Sequence, residues 1–197
     1  MAKRVRVILV TDGDEIARSA VETAARDLGL RVISRSAGNP TRLTGEELVE
    51  LCQQAPYDPV VVMVDDRGKS YKGKGETALE IIARHPRVEV IGAVAVASNT
   101  ILALGARVDA SVTYTGQLVP SPVDKDGTRV EGDFIVGDTV DVLENLDLPN
   151  VIGIGDIGKM RGADGLKKGA PITRRAIKEI LRRSGVDLER ERQHPDQ

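Results

Sequence analysis

The chain has 197 residues, 41% of them hydrophobic and 29% charged, with 28 Lys and Arg against 30 Asp and Glu for a net charge of -2. A folded chain of this size buries about 70% of its unfolded surface and forms a core without staples; the interspersed charge argues against a nucleic-acid surface, which carries a basic excess or stripe, and such a stripe occurs only near the carboxyl end. The single cysteine, Cys52, excludes an intramolecular disulfide, and no run approaches the ~18 apolar residues of a membrane span, so the expectation is a soluble, cytoplasmic protein with no direct membrane insertion.

Residues 5–15, VRVILVTDGDE, begin the chain's organisation. The β-branched run reads as a buried strand of a parallel sheet, because helices on both faces leave little polar alternation. Lys3, Arg4 and Arg6 flank it as in a signal peptide, yet the apolar run is only about six residues and ends in acid, so a strand and no secretion signal are expected. Its acidic turn lies at the carboxyl end of the strand, where open α/β sheets place ligands. Asp12, Asp14 and Glu15 are therefore candidate site residues, with Asp14 also readable as an N-cap and Glu15 as a first-turn acid.

A helix follows over 15–28, with Ile16, Ala20, Ala24 and Leu28 on its inner face and Gly29 ending it. Residues 31–34 form a short strand and 36–40 a loop. Thr44 opens the next helix, Glu47 completes a capping box, and Leu48, Leu51 and Cys52 face inward, the thiol acting as a small hydrophobe. Pro59 can only begin a strand. The run VVVMV at 60–64 reads as a central strand, followed at once by Asp65 and Asp66. After the glycine-rich stretch 67–75, a helix over 76–84 turns Leu79, Ile82 and Ala83 inward and stops before Pro86.

Residues 88–97 are a fourth strand, Ser98 to Thr100 can cap a short turn through Leu104, and 109–114 are a fifth strand. Pro120, Pro122 and the DKDG at 124–127 are turn chemistry, so 116–136 is a hairpin or an irregular excursion. Asp138 reads as the cap of a short helix through Asn145, and 150–154 as a sixth strand ending at Asp156. Glycines at 158, 162, 165 and 169 punctuate a long loop. The last helix begins near Pro171, buries Ala176, Ile177, Ile180 and Leu181, and ends at Gly185. Residues 186–197 read as a disordered tail. The alternation gives one α/β domain over 1–185, doubly wound and Rossmann-like, with a mostly parallel five- to six-stranded sheet and helices on both faces.

Parallel strands bring Asp12, Asp14, Asp65, Asp66 and Asp156 to one edge. Two carboxylates about 4 Å apart repel by roughly 4 kcal/mol at an effective dielectric near 20, so a cluster calls for a cation or protonation. Oxygen-only ligands suit Mg²⁺ or Ca²⁺. Asp12, Asp14 and Asp65 are the first candidate ligands and Asp66 and Asp156 the next; independent caps and turns are the competing reading. The arrangement resembles a Toprim domain, with Glu15 and the Asp65-Asp66 pair standing where that family holds Mg²⁺, which implies phosphotransfer or hydrolysis as an alternative function.

Two glycine patterns add candidate anion contacts. Gly68 to Lys74 has the spacing GxxxxGK, offering Gly73 and Lys74, but Gly75 stands where a magnesium-binding hydroxyl is needed. Gly153 to Gly158 matches GxGxxG without an immediate helix, offering Gly155, Gly158 and Lys159.

The segments VILVTDGDE (7–15), SAGNPTRLTGEELVEL (36–51), PYDPVVVMVDD (56–66), GETALEII (75–82), VIGAVAVAS (90–98), and GIGDIGKMRG with GAPITRRAI (within 153–177) are together similar to the stage V sporulation protein AE family. This is the soluble member of the SpoVA group of spore-forming Firmicutes. The likeness is colinear from Lys3 to Gly185. It implies a spore-associated accessory protein, acting in sporulation and germination beside the membrane proteins that move dipicolinic acid with Ca²⁺. It supplies no catalytic residue.

Overall fold

The computed structural model describes residues 4–67, 72–99 and 104–188. Strand β1 (Val5–Val10) enters the middle of the sheet, and α1 (Glu15–Leu28) carries the chain to β2 (Arg31–Val32) at one margin. Helix α2 (Gly45–Gln53) returns it to β3 (Val60–Met63), and α3 (Lys74–Arg84) crosses to β4 (Val88–Val96) on the far side of β1. Strands β5 (Ala106–Arg107) and β8 (Phe134–Ile135) form a separate antiparallel pair. Strands β6 (Ala110–Val112), β7 (Leu118–Val119) and β9 (Val151–Ile154) complete the main sheet, with α4 (Asp141–Glu144) before β9 and α5 (Pro171–Arg183) after it.

The seven-stranded order is β2-β3-β1-β4-β9-β6-β7, parallel throughout except for the β6–β7 hairpin. The α/β class and the parallel arrangement are as expected. The additional strand is β7, which the turn-rich excursion contributes by folding back on β6.

Alternate side chains of each strand serve opposite faces. Ile8, Val10, Met63, Val94, Ile152 and Ile154 pack under α1 and α5, while Leu9, Val62, Val64, Ala93 and Ala95 pack under α2, α3 and α4. This two-sided burial explains why β3 is buried at every position and shows no alternation. No helix among the described residues is long and apolar enough to cross a membrane.

Several local signals act as read. Gly29 adopts the left-handed conformation at φ 70° and closes α1. Thr44 and Glu47 make both bonds of the capping box of α2. Cys52 is buried, and burial pushes its thiol up to about 12, as suits an inert packing residue.

Other readings need correction. The inner face of α1 is Ala17, Ala20, Val21, Ala24 and Ala25, one step round from the expected stripe, and Ile16 is 44% exposed. The alanine face lets α1 lie close to the sheet and α5, a packing gain that outweighs burying the larger Ile16. The second strand has only two residues, because residues 34–36 wind into a 3₁₀ turn whose Ser36 hydroxyl accepts from the Met63 amide. Asp138 does not cap α4; Val140 precedes that helix, and the Asp138 amide donates to Ser98 Oγ. The proposed turn through residues 100–103, the Gly68 to Tyr71 part of the GxxxxGK stretch, and residues 189–197 lie outside the described residues. Val186 and Leu188 pack against the core beyond the end of α5.

Glu179 of α5 is buried and accepts from Arg182 (2.9 and 2.7 Å) and Arg183 (2.7 Å). These bonds hold its carboxyl down at about 2 against the opposing pull of burial. A depressed pKa contributes stability above the unfolded value and loses it as pH falls through the folded one. Glu179→Gln is therefore expected to lower stability at pH 7 by about 1–2 kcal/mol, a figure reduced for the exposure of the arginines. Urea midpoints of the two proteins should converge as pH falls from about 4.5 towards 2.

Candidate functional site

The chain leaves β1 towards one face, through α1, and β3 towards the other, through α3. Open α/β sheets place ligands where neighbouring parallel strands part in this way, at their carboxyl ends. Three segments wall this end of the sheet: the turn after β1, the Asp65-Asp66 pair after β3, and the loop of residues 36–41 beyond β2.

These walls are bound to one another by backbone. The Gly13 carbonyl accepts from the Gly38 amide at 2.8 Å, the Gly13 amide donates to Asp65 Oδ2 at 3.3 Å, and the Thr41 amide donates to the Asp65 carbonyl at 2.8 Å. Thr41 Oγ1 accepts in turn from the Asp65 amide at 2.8 Å. A methyl group at Gly13 would sit 3.0 Å from the Gly38 oxygen and 3.3 Å from Asp65 Cβ, so a side chain here would press these neighbours back by a few tenths of an ångström.

The five expected acids divide into two kinds. Asp14, Asp66 and Asp156 have specific partners. Asp14 caps α1 through Ala17 N (2.7 Å), and its other oxygen faces Lys159 Nζ at 3.4 Å. Lys159 also meets Asp156 at 3.1 Å. Burial opposes the Lys159 charge, but the hydrogen bond to Asp156 and the charges of Asp156, Asp14 and Asp12 prevail and raise its pKa. Asp66 is buried and accepts from Gly75 N at 2.6 Å and Glu76 N at 2.7 Å, reaching back to anchor the start of α3. That bond explains why α3 begins at Lys74 rather than near Glu76.

Asp12 and Asp65 are the second kind. Asp12 is half-buried, and burial, aided by the charges of Asp14, Asp65 and Asp156, pushes its carboxyl up to about 7 against one hydrogen bond from the Asp14 amide. Asp65 is 5% exposed and rises to about 6, again through burial, with Asp138 and Asp14 adding repulsion and the amides of Arg67 and Gly13 opposing it. Asp138 is thus an acid of this edge that the sequence pattern places elsewhere. Its signal was a position just after β8, whose pairing with β5 is hard to foresee from two-residue strands.

A raised carboxyl pKa favours the fold below the unfolded value, about 3.9, and that contribution is lost as pH rises through the folded value. Asp12→Asn is expected to gain on the parent protein progressively between pH 4 and 7, by about 2 kcal/mol after allowance for partial exposure. Denaturant melts at pH 4, 5.5 and 7.5 read this directly; a difference independent of pH would contradict the assignment.

The glycine candidates have packing partners. At Gly73 a methyl group would meet Asp66 Oδ1 at 2.0 Å, so the N-terminus of α3 already holds an anion from the chain itself. Lys74 is exposed in the first turn of that helix. Gly155 lies against Gly127 N (2.6 Å to an added methyl) and the Lys125 oxygen (2.7 Å), and Gly158 takes φ 72° while its amide donates to Asp164 Oδ2. Among the described residues no group of three or more His, Cys, Asp or Glu side chains is placed to hold a metal ion together.

The edge thus holds two carboxyls, Asp12 and Asp65, raised by burial and neighbouring acids, beside a lysine shared by two others, an arrangement suited to holding protons and compensating charge. Among known proteins, a family model described as stage V sporulation protein AE1 matches residues 6–184. No curated protein and no solved structure matches the chain.

Proposed function

We propose that this chain, which belongs to the stage V sporulation protein AE1 family, serves sporulation and germination as an accessory partner of the membrane proteins that move dipicolinic acid with Ca²⁺. The observation that carries the reading is the extent of the family match, which runs from residue 6, within β1, to residue 184, past the end of α5. In this reading the protein acts from the cytoplasm of the developing spore and docks on partners that themselves span the membrane. Purified chain titrated onto vesicles containing those membrane proteins should bind saturably, and should not bind the same vesicles without them. Equal binding to both would contradict the proposal.

The acids of the sheet edge fit this role as structural caps and a proton-holding pair. A Mg²⁺-dependent phosphotransfer or hydrolytic centre would need converging free carboxylates, whereas Asp66 is spent on α3 and Asp14 and Asp156 share Lys159. Calorimetric titration with Mg²⁺ or Ca²⁺ is therefore expected to give no saturable heat at neutral pH. Saturable heat that disappears in Asp12→Asn/Asp65→Asn would restore the cation reading of Asp12, Asp14 and Asp65.

A further inference from the structure

A groove of ≈670 Å³ lies between the first turns of α5, the end of α1 and the turn that joins β6 to β7. Its size falls within the about 300–1,000 Å³ typical of small-ligand sites. None of the acids of the sheet edge lines it. Four cations do, Lys168, Arg174, Arg175 and Lys178, against the single carboxylate of Asp27. The whole chain carries a net charge of -2, so this basic concentration is local.

Three features make the groove more than a solvated helix face. Lys178 stands four and three residues after Arg174 and Arg175 on α5, spacings at which like charges repel and cost stability unless something neutralises them. Arg174 is paired with Asp27 at 3.0 Å and Lys168 donates to the Gly162 carbonyl, but among the described residues Arg175 and Lys178 have no ion-pair or hydrogen-bond partner. The wall opposite them carries Tyr114, 48% exposed, and buried Ile172 contributes an apolar patch. The amides of Ile172 and Thr173 are already taken by Asp164, so an incoming anion would be held by side chains and not by the end of the helix. A guanidinium beside an ammonium suits carboxylate or phosphate oxygens, the first through its planar fork and the second as a point charge.

We propose that this groove binds a ligand bearing two or more carboxylate or phosphate groups, either free in solution or presented by a lipid headgroup. The inference does not depend on the partner role proposed above. Citrate and pyrophosphate, titrated by calorimetry at low salt, and vesicles of cardiolipin, whose headgroup carries two phosphodiesters, mixed with phosphatidylcholine are the probes. The comparison is with Arg175→Gln/Lys178→Gln, both positions being exposed, and with Lys167→Gln, an exposed lysine outside the groove.

Saturable binding that weakens about tenfold or more in the double variant, stays unchanged in Lys167→Gln, and fades as salt rises is the expected result. Binding of the small anions assigns a free ligand; binding of the vesicles alone, lost in the double variant, assigns the headgroup. Should the double variant fail to fold, amide shifts of the wild-type protein at Gly116, Ala163 and Lys168 locate the bound anion in the groove independently. No binding to any probe, equal binding by the double variant and the wild type, or shifts confined to other regions would overturn the proposal.

Discussion

Asp164→Ala is expected to be the most damaging single substitution in the molecule, lowering stability by about 4–5 kcal/mol. Asp164 is fully buried and accepts four hydrogen bonds: from Gly158 N (3.0 Å), Ile172 N (2.8 Å), Thr173 N (3.0 Å) and Thr173 Oγ1 (2.6 Å). Two of these satisfy first-turn amides of α5, and the dipole of that helix favours the negative charge there. A third fastens the turn after β9. Alanine would leave the Ile172 and Thr173 donors buried without acceptors, at about 1–3 kcal/mol each before relaxation. For a domain of this size the melting temperature should fall by roughly 10–20 °C. Asp164→Asn keeps one acceptor oxygen but turns an amide group towards donors, and should fall between the two. Calorimetric melts of the three proteins measure the series, and an alanine variant that melts within a few degrees of wild type would refute this view of the α5 start.

Asp66→Ala should come next, at about 2–3 kcal/mol, because it removes both short bonds to the first turn of α3. The neighbouring acid separates this from a general effect of charge. Asp12→Asn and Asp66→Ala alter carboxylates of the same sheet edge, yet the first is expected to stabilise the protein at neutral pH and the second to weaken it. The distinction lies in what each carboxylate touches: Asp66 closes two amides, whereas Asp12 receives one and faces three other acids. Hydrogen exchange should show the Asp66→Ala loss concentrated in α3. A loss spread evenly over the sheet would contradict the capping role.

Asp164 also marks the limit of what the sequence discloses. Pro171 announces the start of α5 correctly, since its ring suits the first helical position. The residue that satisfies that start comes from seven positions earlier, across a 3₁₀ turn at 166–168 and left-handed residues at Gly169 and Ala170. Capping rules look three residues ahead, as with Thr44 and Glu47, and they succeed where the partner is that near. Asp66 is the same case at α3, with eight residues intervening before Gly75.

The main strands were legible because uninterrupted β-branched runs have few alternatives in a chain of this length. The two-residue strands were not, since β5 and β8 pair across the turn-rich residues 108–133 and carry no periodicity of their own. The convergence of strand ends followed directly from parallel topology, so the acidic edge was foreseeable from sequence. What each acid does there was not. Asp138 joins the edge through β8, Lys159 neutralises two members from a loop, and the raised carboxyls of Asp12 and Asp65 come from burial and neighbouring acids that appear only once the chain has packed. The basic groove was equally hidden, because Arg174, Arg175 and Lys178 read as the solvated side of an amphipathic helix until Tyr114 and Lys168 are brought opposite them.

The central claim, an accessory role in moving dipicolinic acid, is tested most directly in spores. Dipicolinic acid content and its release after a germinant should be followed in a spore-former lacking this chain and in the same strain supplied with the wild-type chain. Lowered content or slowed release without the chain, and recovery with it, is the predicted result. Content and release kinetics identical in both strains would contradict it.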